Sequence, residues 1–186
     1  TIPLYLANEM GVTPSKIGVV MSSYALALLC IRPFSGFLVD IYARKPLLIF
    51  GISLFVFVFT GYYFVTSVLF FIILRFIHGL FWGLSTVSAN TVAIDIIPSS
   101  RRAEGIGYFG VNINIAMAIA PYIAVKIYDA YGFSALISSS LLMGLLSIFA
   151  TLFIKVPERP TSTHRPAMSL DWFILVKAIP IFLNQL

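Results

Sequence analysis

Long apolar runs separated by short polar turns dominate this sequence and leave it few architectures. Residues 17–38 are apolar for about 22 residues, or about 33 Å as a helix, enough to cross a bilayer. Runs of similar character cover 47–64, 68–97, 103–128 and 133–154. Between them stand a turn at 40–46, Thr66-Ser67, Pro98-Ser99-Ser100-Arg101-Arg102 and Asp129-Ala130-Tyr131-Gly132. In hydrocarbon, a backbone must satisfy its own hydrogen bonds, and apolar runs of this length do so as helices. The expected fold class is an all-α membrane protein with five spans. Its expected partner is the lipid bilayer.

Composition supports this reading and excludes others. Of the 186 residues, 60% are hydrophobic and 10% charged, against about a quarter charged in a soluble domain. Mean hydropathy is +1.00. The net charge of +5 does not imply nucleic acid, because the cations lie mainly in turns between apolar runs and form no patch. Cys30 is the one cysteine, so neither an internal disulfide nor a Cys-rich metal site can form. The sequence holds no phosphate loop, no nucleophile–base constellation and no metal-ligand spacing, so no enzyme activity, cofactor or metal is expected.

The chain divides into a bundle at 1–154, a linker at 155–171 and the start of a further bundle at 172–186. The linker carries Pro157, Pro160 and Pro166 among Lys155, Glu158, Arg159, His164 and Arg165. Thr1 to Leu6 read as the tail of a helix, and Thr13-Pro14 as the start of the next. Alternate turns hold Arg44, Lys45, Arg101, Arg102, Lys155, Arg159 and Arg165 in one set, and Lys16 alone in the other. By the positive-inside rule, the loops near Asp40, Arg101 and Arg159 are cytoplasmic.

Charges inside the spans are candidate sites, since an Arg in the bilayer costs from about 2.5 kcal/mol upward. Arg32, Arg75 and Lys126 are such residues. At helical spacing Arg75, Gly79, Trp82, Gly83, Thr86 and Asn90 share a face of about 100°, opposite Ile77, Phe81 and Leu84. Two readings of that stripe stand: a wall of an aqueous pathway, or a packing face with a snorkelling Arg. Arg32 reads either as a cavity wall or as a cation reaching the interface. Asn112 and Asn114 point to different faces, with Asn112 on the side of Tyr108 and Lys126. Pro121 interrupts the ladder beside the small residues Ala116, Ala120 and Ala124. His78 lies one position off the stripe and reads as a packed, hydrogen-bonded histidine.

Several of these residues together resemble a known family. Gly36-x-x-x-Asp40-x-x-x-Arg44-Lys45 resembles the loop between helices 2 and 3 of the major facilitator superfamily. Arg75-x-x-x-Gly79-x-x-x-Gly83 is similar to the helix 4 motif of its proton-coupled members. Asp95-x-x-Pro98 with Arg101, Arg102 and Gly105 resembles the helix 4–5 turn. Ala120-Pro121 stands where the drug:proton antiporter branch has a Gly-Pro motif. Ile41 and Ala43 depart from the usual Arg and Gly of the first motif, and helix 5 lacks the glycines of the last.

The resemblance implies helices 2 to 6 of an N-terminal bundle, with part of helix 1 before them and part of helix 7 after. It implies a multi-pass protein of a bacterial inner membrane that works by alternating access. Protons would be the coupling ion, and the C-terminal bundle of the same full-length chain the partner. Gly36, Asp40, Arg44 and Lys45 would gate the cytoplasmic side, with Asp95, Arg101 and Arg102 in the neighbouring turn. Arg75 would tune a proton site, and Trp82, Thr86 and Asn90 would line the cavity. Proton-coupled efflux of small organic molecules is the expected function. Import of a metabolite or sugar by symport, and a non-transporting sensor or scaffold on the same fold, are the alternatives.

Overall fold

The computed structural model describes residues 1–157. The linker beyond residue 157, Arg159 within it, and the segment 172–186 lie outside the described residues. All regular structure in the described part is helical. Helix α1 is Ile2–Asn8, α2 Pro14–Ile41, α3 Arg44–Gly61 and α4 Val68–Ile96. A 3₁₀ turn at Tyr62–Phe64 follows α3, and another at Ser99–Arg101 follows α4.

The final helical stretch, Arg102–Leu152, has 51 residues. As one straight rod it would extend about 75 Å, more than twice a hydrocarbon core. Gly132 divides it, at φ 78° and ψ −177°, a conformation open essentially to glycine alone. The two parts are α5 (102–131) and α6 (133–152), which completes five spans. Asp129, Ala130 and Tyr131, expected in a turn, remain helical, because Gly132 makes the break by itself.

Local chemistry explains the other boundaries. Gly11, at φ 61°, turns the chain between α1 and α2. Thr13 occupies the N-cap position of α2 with Pro14 following, although its side chain makes no capping bond. Ser67 does cap α4, accepting from the Phe70 amide at 3.2 Å. α3 begins three residues earlier than its apolar run, at Arg44, because Ala43 is extended there.

Packing pairs the helices at small residues. A Cβ on Gly79 would lie 2.6 Å from the Tyr24 carbonyl oxygen and 2.9 Å from the Ala27 Cβ, so α4 rests directly on α2. Gly83 meets Ile31 and Leu28 one turn further along. Gly51 of α3 faces Ser85 of α4, and Gly144 of α6 faces Val56 of α3. α6 runs antiparallel to α3: Lys45 reaches Leu152 at one end, and Tyr63 reaches Ser138 at the other. The largest buried cluster, including Leu6, Val20, Tyr62, Phe71, Phe133 and Ile137, sits at the Gly132 end. Residues 111–123 of α5 are exposed around the whole helix.

These contacts separate two kinds of glycine. Gly79→Ala forces a methyl against backbone that cannot yield, so it should destabilise by about 1–3 kcal/mol, as overpacking does. Gly36→Ala meets nothing within 4 Å and, as the better helix former, should keep stability or raise it by up to about 1 kcal/mol. Thermal unfolding of the two detergent-solubilised variants reads the difference.

Candidate functional site

The turn between α2 and α3 builds one end of the bundle. Arg44, in the first turn of α3 and 9% exposed, forms an ion pair with Asp95 in the last turn of α4. Two residues placed separately in the sequence reading are therefore one contact. Arg44 Nε and Asp95 Oδ2 are buried without a further partner among the described residues. Lys45 Nζ donates to the Leu152 carbonyl oxygen at 2.7 Å. A cation there meets carbonyls left unpaired at the end of α6 and the negative end of its dipole. The two cations thus tie α3 to α4 and to α6.

Asp40 behaves differently. It lies in the last turn of α2, is exposed, and makes no ion pair among the described residues. Gly36, one turn earlier, has open space where a side chain would stand. Arg32 and Pro33 are exposed on the same helix, which continues through Pro33 without a break. Arg101 holds Glu104 through two bonds of 2.9 and 2.7 Å, on the surface. Arg102 is exposed beside it.

The α4 stripe shares one arc of the helix but meets different neighbours along it. Gly79 and Gly83 lie in the α2 contact, while Trp82 leans on Phe55 of α3 with ring centroids 5.1 Å apart. The Thr86 hydroxyl donates back to the Gly83 carbonyl at 3.0 Å, and Asn90 is exposed. Leu84, expected on the opposite side, is buried against Val39 and Leu47. The reason is that α4 is held from two sides, by α2 and by α3, so no single arc of it is free.

Arg75 is 9% exposed yet meets no carboxylate among the described residues. Its guanidinium lies 4.7 Å over the Tyr24 ring, and Nη2 stands 3.5 Å from Met21 Sδ. A π face and a polarisable sulfur thus surround the charge. His78, one turn on, is 3% exposed. Tyr62 hydroxyl and His78 Nδ1 are 3.1 Å apart, so the hydroxyl donates when Nδ1 is the acceptor. Phe55 and Phe59 press on the imidazole at 4.2 and 4.6 Å. This aromatic cage escaped the sequence reading, although Phe55, Phe59 and Tyr62 recur at helical spacing, which could have pointed to it.

On α5, Asn112 and Asn114 are both exposed, and the helix passes through Pro121 unbroken. Lys126 is exposed, with its Nζ 5.8 Å from the Tyr122 ring. Among the described residues no group of His, Cys, Asp or Glu could hold a metal ion.

Comparison with known proteins agrees with this architecture. The family model described as Major Facilitator Superfamily matches residues 1–185. An uncharacterized MFS-type transporter of Methanocaldococcus jannaschii is 32% identical over 126 residues, covering 68% of this chain and 33% of that protein. The quinolone resistance protein NorA of Staphylococcus aureus is 29% identical over 174 residues, covering 87% of this chain and 42% of NorA. The chain therefore spans less than half the length of these relatives.

Breaking the Arg44–Asp95 pair from one side strands a buried charge. Asp95→Asn should cost up to about 3–5 kcal/mol, less to the extent that the Asp95 side chain keeps 20% exposure. The paired change of Arg44→Met with Asp95→Leu should recover most of that loss. Chemical or thermal unfolding of the three variants in detergent measures it.

Proposed function

The chain belongs to the major facilitator superfamily, and from that premise we propose that the whole protein is a secondary active transporter. It works by alternating access, expelling small organic molecules across a bacterial inner membrane in exchange for protons. Residues 1–154 form one bundle, 155–171 link it to the next, and 172–186 begin the second. The basic end, with Asp40, Arg44, Lys45, Arg101 and Arg102, faces the cytoplasm. Reporter fusions at the Arg101-Arg102 turn and at Asp129 should report opposite compartments.

One observation carries the reading. Arg44 and Lys45 are committed to α4 and α6, while Asp40 and Gly36 of the same motif stay open on α2. The turn is thus a braced platform that offers a carboxylate to a second body. Charge-assisted contacts to such a carboxylate can form and break as two bundles rock. Arg75 lies inside the span and serves proton coupling, with Trp82, Thr86 and Asn90 toward the substrate path, and Arg32, Asn112 and Pro121 as subsidiary candidates.

The NorA likeness favours export of drug-like molecules. Ala120-Pro121-Tyr122-Ile123-Ala124, which lacks the glycines of the antiporter branch, favours the second reading of metabolite or sugar symport. Counterflow in vesicles of defined orientation separates the two. In the full-length protein, Asp40→Asn should lower transport at least about tenfold, which corresponds to roughly 1.4 kcal/mol, while folding is unchanged. Retained transport in that variant would remove Asp40 from the mechanism.

A further inference from the structure

Away from the α4 stripe, the Gly132 end of the bundle holds a cleft of about 310 Å³. Its lining includes Tyr5, Glu9, Tyr62, Tyr63, Tyr131 and Ser134. The volume falls in the lower range of small-molecule sites, and the lining is unusual in kind. Four of these six side chains are tyrosines, and one is a carboxylate.

The four tyrosines are not equivalent. Tyr5 gives one face to Phe133, stacked at 3.7 Å and 15°. Tyr62 commits its hydroxyl to His78, and Tyr63 commits its own to Ser138 at 2.7 Å. With their hydroxyls tied, these rings are held as walls rather than as hydrogen-bond donors. Tyr131, 77% exposed at the rim, has ring area open to the cleft mouth.

Glu9 is similarly half committed. Its Oε1 accepts from the Tyr128 hydroxyl at 3.0 Å, and no donor to Oε2 occurs among the described residues. The carboxylate is thereby oriented while one oxygen remains available. Lys16, Arg75 and Lys126 do not line the cleft, although Arg75 lies close to Tyr62 on the side away from it.

Aromatic faces with a fixed anion and no cation in the lining attract one class of ligand. Ring quadrupoles draw a cation to their faces, and quaternary ammonium groups are the ligands such cages favour. We propose that this cleft binds a small organic cation carrying an alkylated ammonium, with Glu9 as counter-ion and Tyr63 and Tyr131 as cage walls. The proposal does not depend on the transport reading above, because its test is equilibrium binding.

Choline and its uncharged carbon isostere, 3,3-dimethylbutan-1-ol, test it in the full-length protein held in nanodiscs, without any gradient. Isothermal titration should show choline binding at millimolar or lower concentration and the isostere at least about tenfold weaker. Glu9→Gln retains an oxygen to accept from Tyr128 but loses the charge. It should weaken choline roughly tenfold, the loss expected for one charge-assisted contact, and leave the isostere unaffected. Tyr131→Leu, at an exposed position, should weaken choline several-fold and leave folding intact.

Equal affinity for choline and the isostere would overturn the proposal, as would no choline binding at millimolar concentration. Unchanged choline affinity in a folded Glu9→Gln protein would also overturn it, since the cation would then sit elsewhere. Should Glu9→Gln not fold, unchanged affinity in Tyr131→Leu would have the same force. Because the readout is equilibrium binding, absence of transport leaves the outcome intact.

Discussion

The close contact of α2 with α4 is the constraint on which the other arrangements rest. In lipid, apolar side chains gain little by leaving hydrocarbon for a helix surface, so helices associate where their backbones can approach. Gly79 and Gly83 provide that approach against Tyr24, Ala27, Leu28 and Ile31. Ala27 and Ser88 are fully buried, as tight packing of two long helices requires. The contact also fixes the surroundings of Arg75, since it is the register of α2 on α4 that sets the Tyr24 ring beneath the guanidinium. A slip of one turn would separate the charge from both Tyr24 and Met21.

α3 then carries the connections to the rest, and its two ends are bound by different chemistry. At one end, Arg44 and Lys45 make charged contacts to α4 and α6. At the other, just past α3, Tyr62 and Tyr63 make neutral hydroxyl contacts to His78 of α4 and to Ser138 of α6. Hydrogen bonds with an ionised partner are roughly twice as strong as neutral ones. A neutral phenol carries less desolvation cost where it is buried, as Tyr62 is, whereas the largely buried Arg44 and Asp95 offset theirs by pairing. The same pair of neighbours is thus held at both ends of one helix, which makes α3, α4 and α6 a natural rigid unit.

Five spans and their order were legible in the sequence, because run length and turn chemistry are local properties and the bilayer allows one answer to each. The Asp129–Gly132 turn was legible only in part. Four polar or small residues mark a turn by composition, but one glycine at positive φ suffices to make it. The α4 stripe left two readings open for a different reason. Periodicity shows that Arg75, Gly79, Trp82 and Gly83 share an arc, and it says nothing of whether water or another helix meets that arc. The Arg44–Asp95 contact and the Phe55–Phe59–Tyr62 cage around His78 join residues on different helices, and their registry is a product of packing that no local pattern encodes.

Asp40 shows how this asymmetry bears on mechanism. It sits at the C-terminal end of α2, where the helix dipole opposes an anion by about 0.3–1 kcal/mol. The cation four residues on, Arg44, would ordinarily relieve that, but it is turned inward to Asp95. The carboxylate is therefore held where its own helix disfavours it, beside a glycine that lets another backbone come close. Donors brought from outside, such as the N-terminus of a second helix, would gain more from Asp40 than from a carboxylate already neutralised within its own bundle. Among the described residues, Asp40 makes no contact within its own bundle that would have to be given up for such a donor.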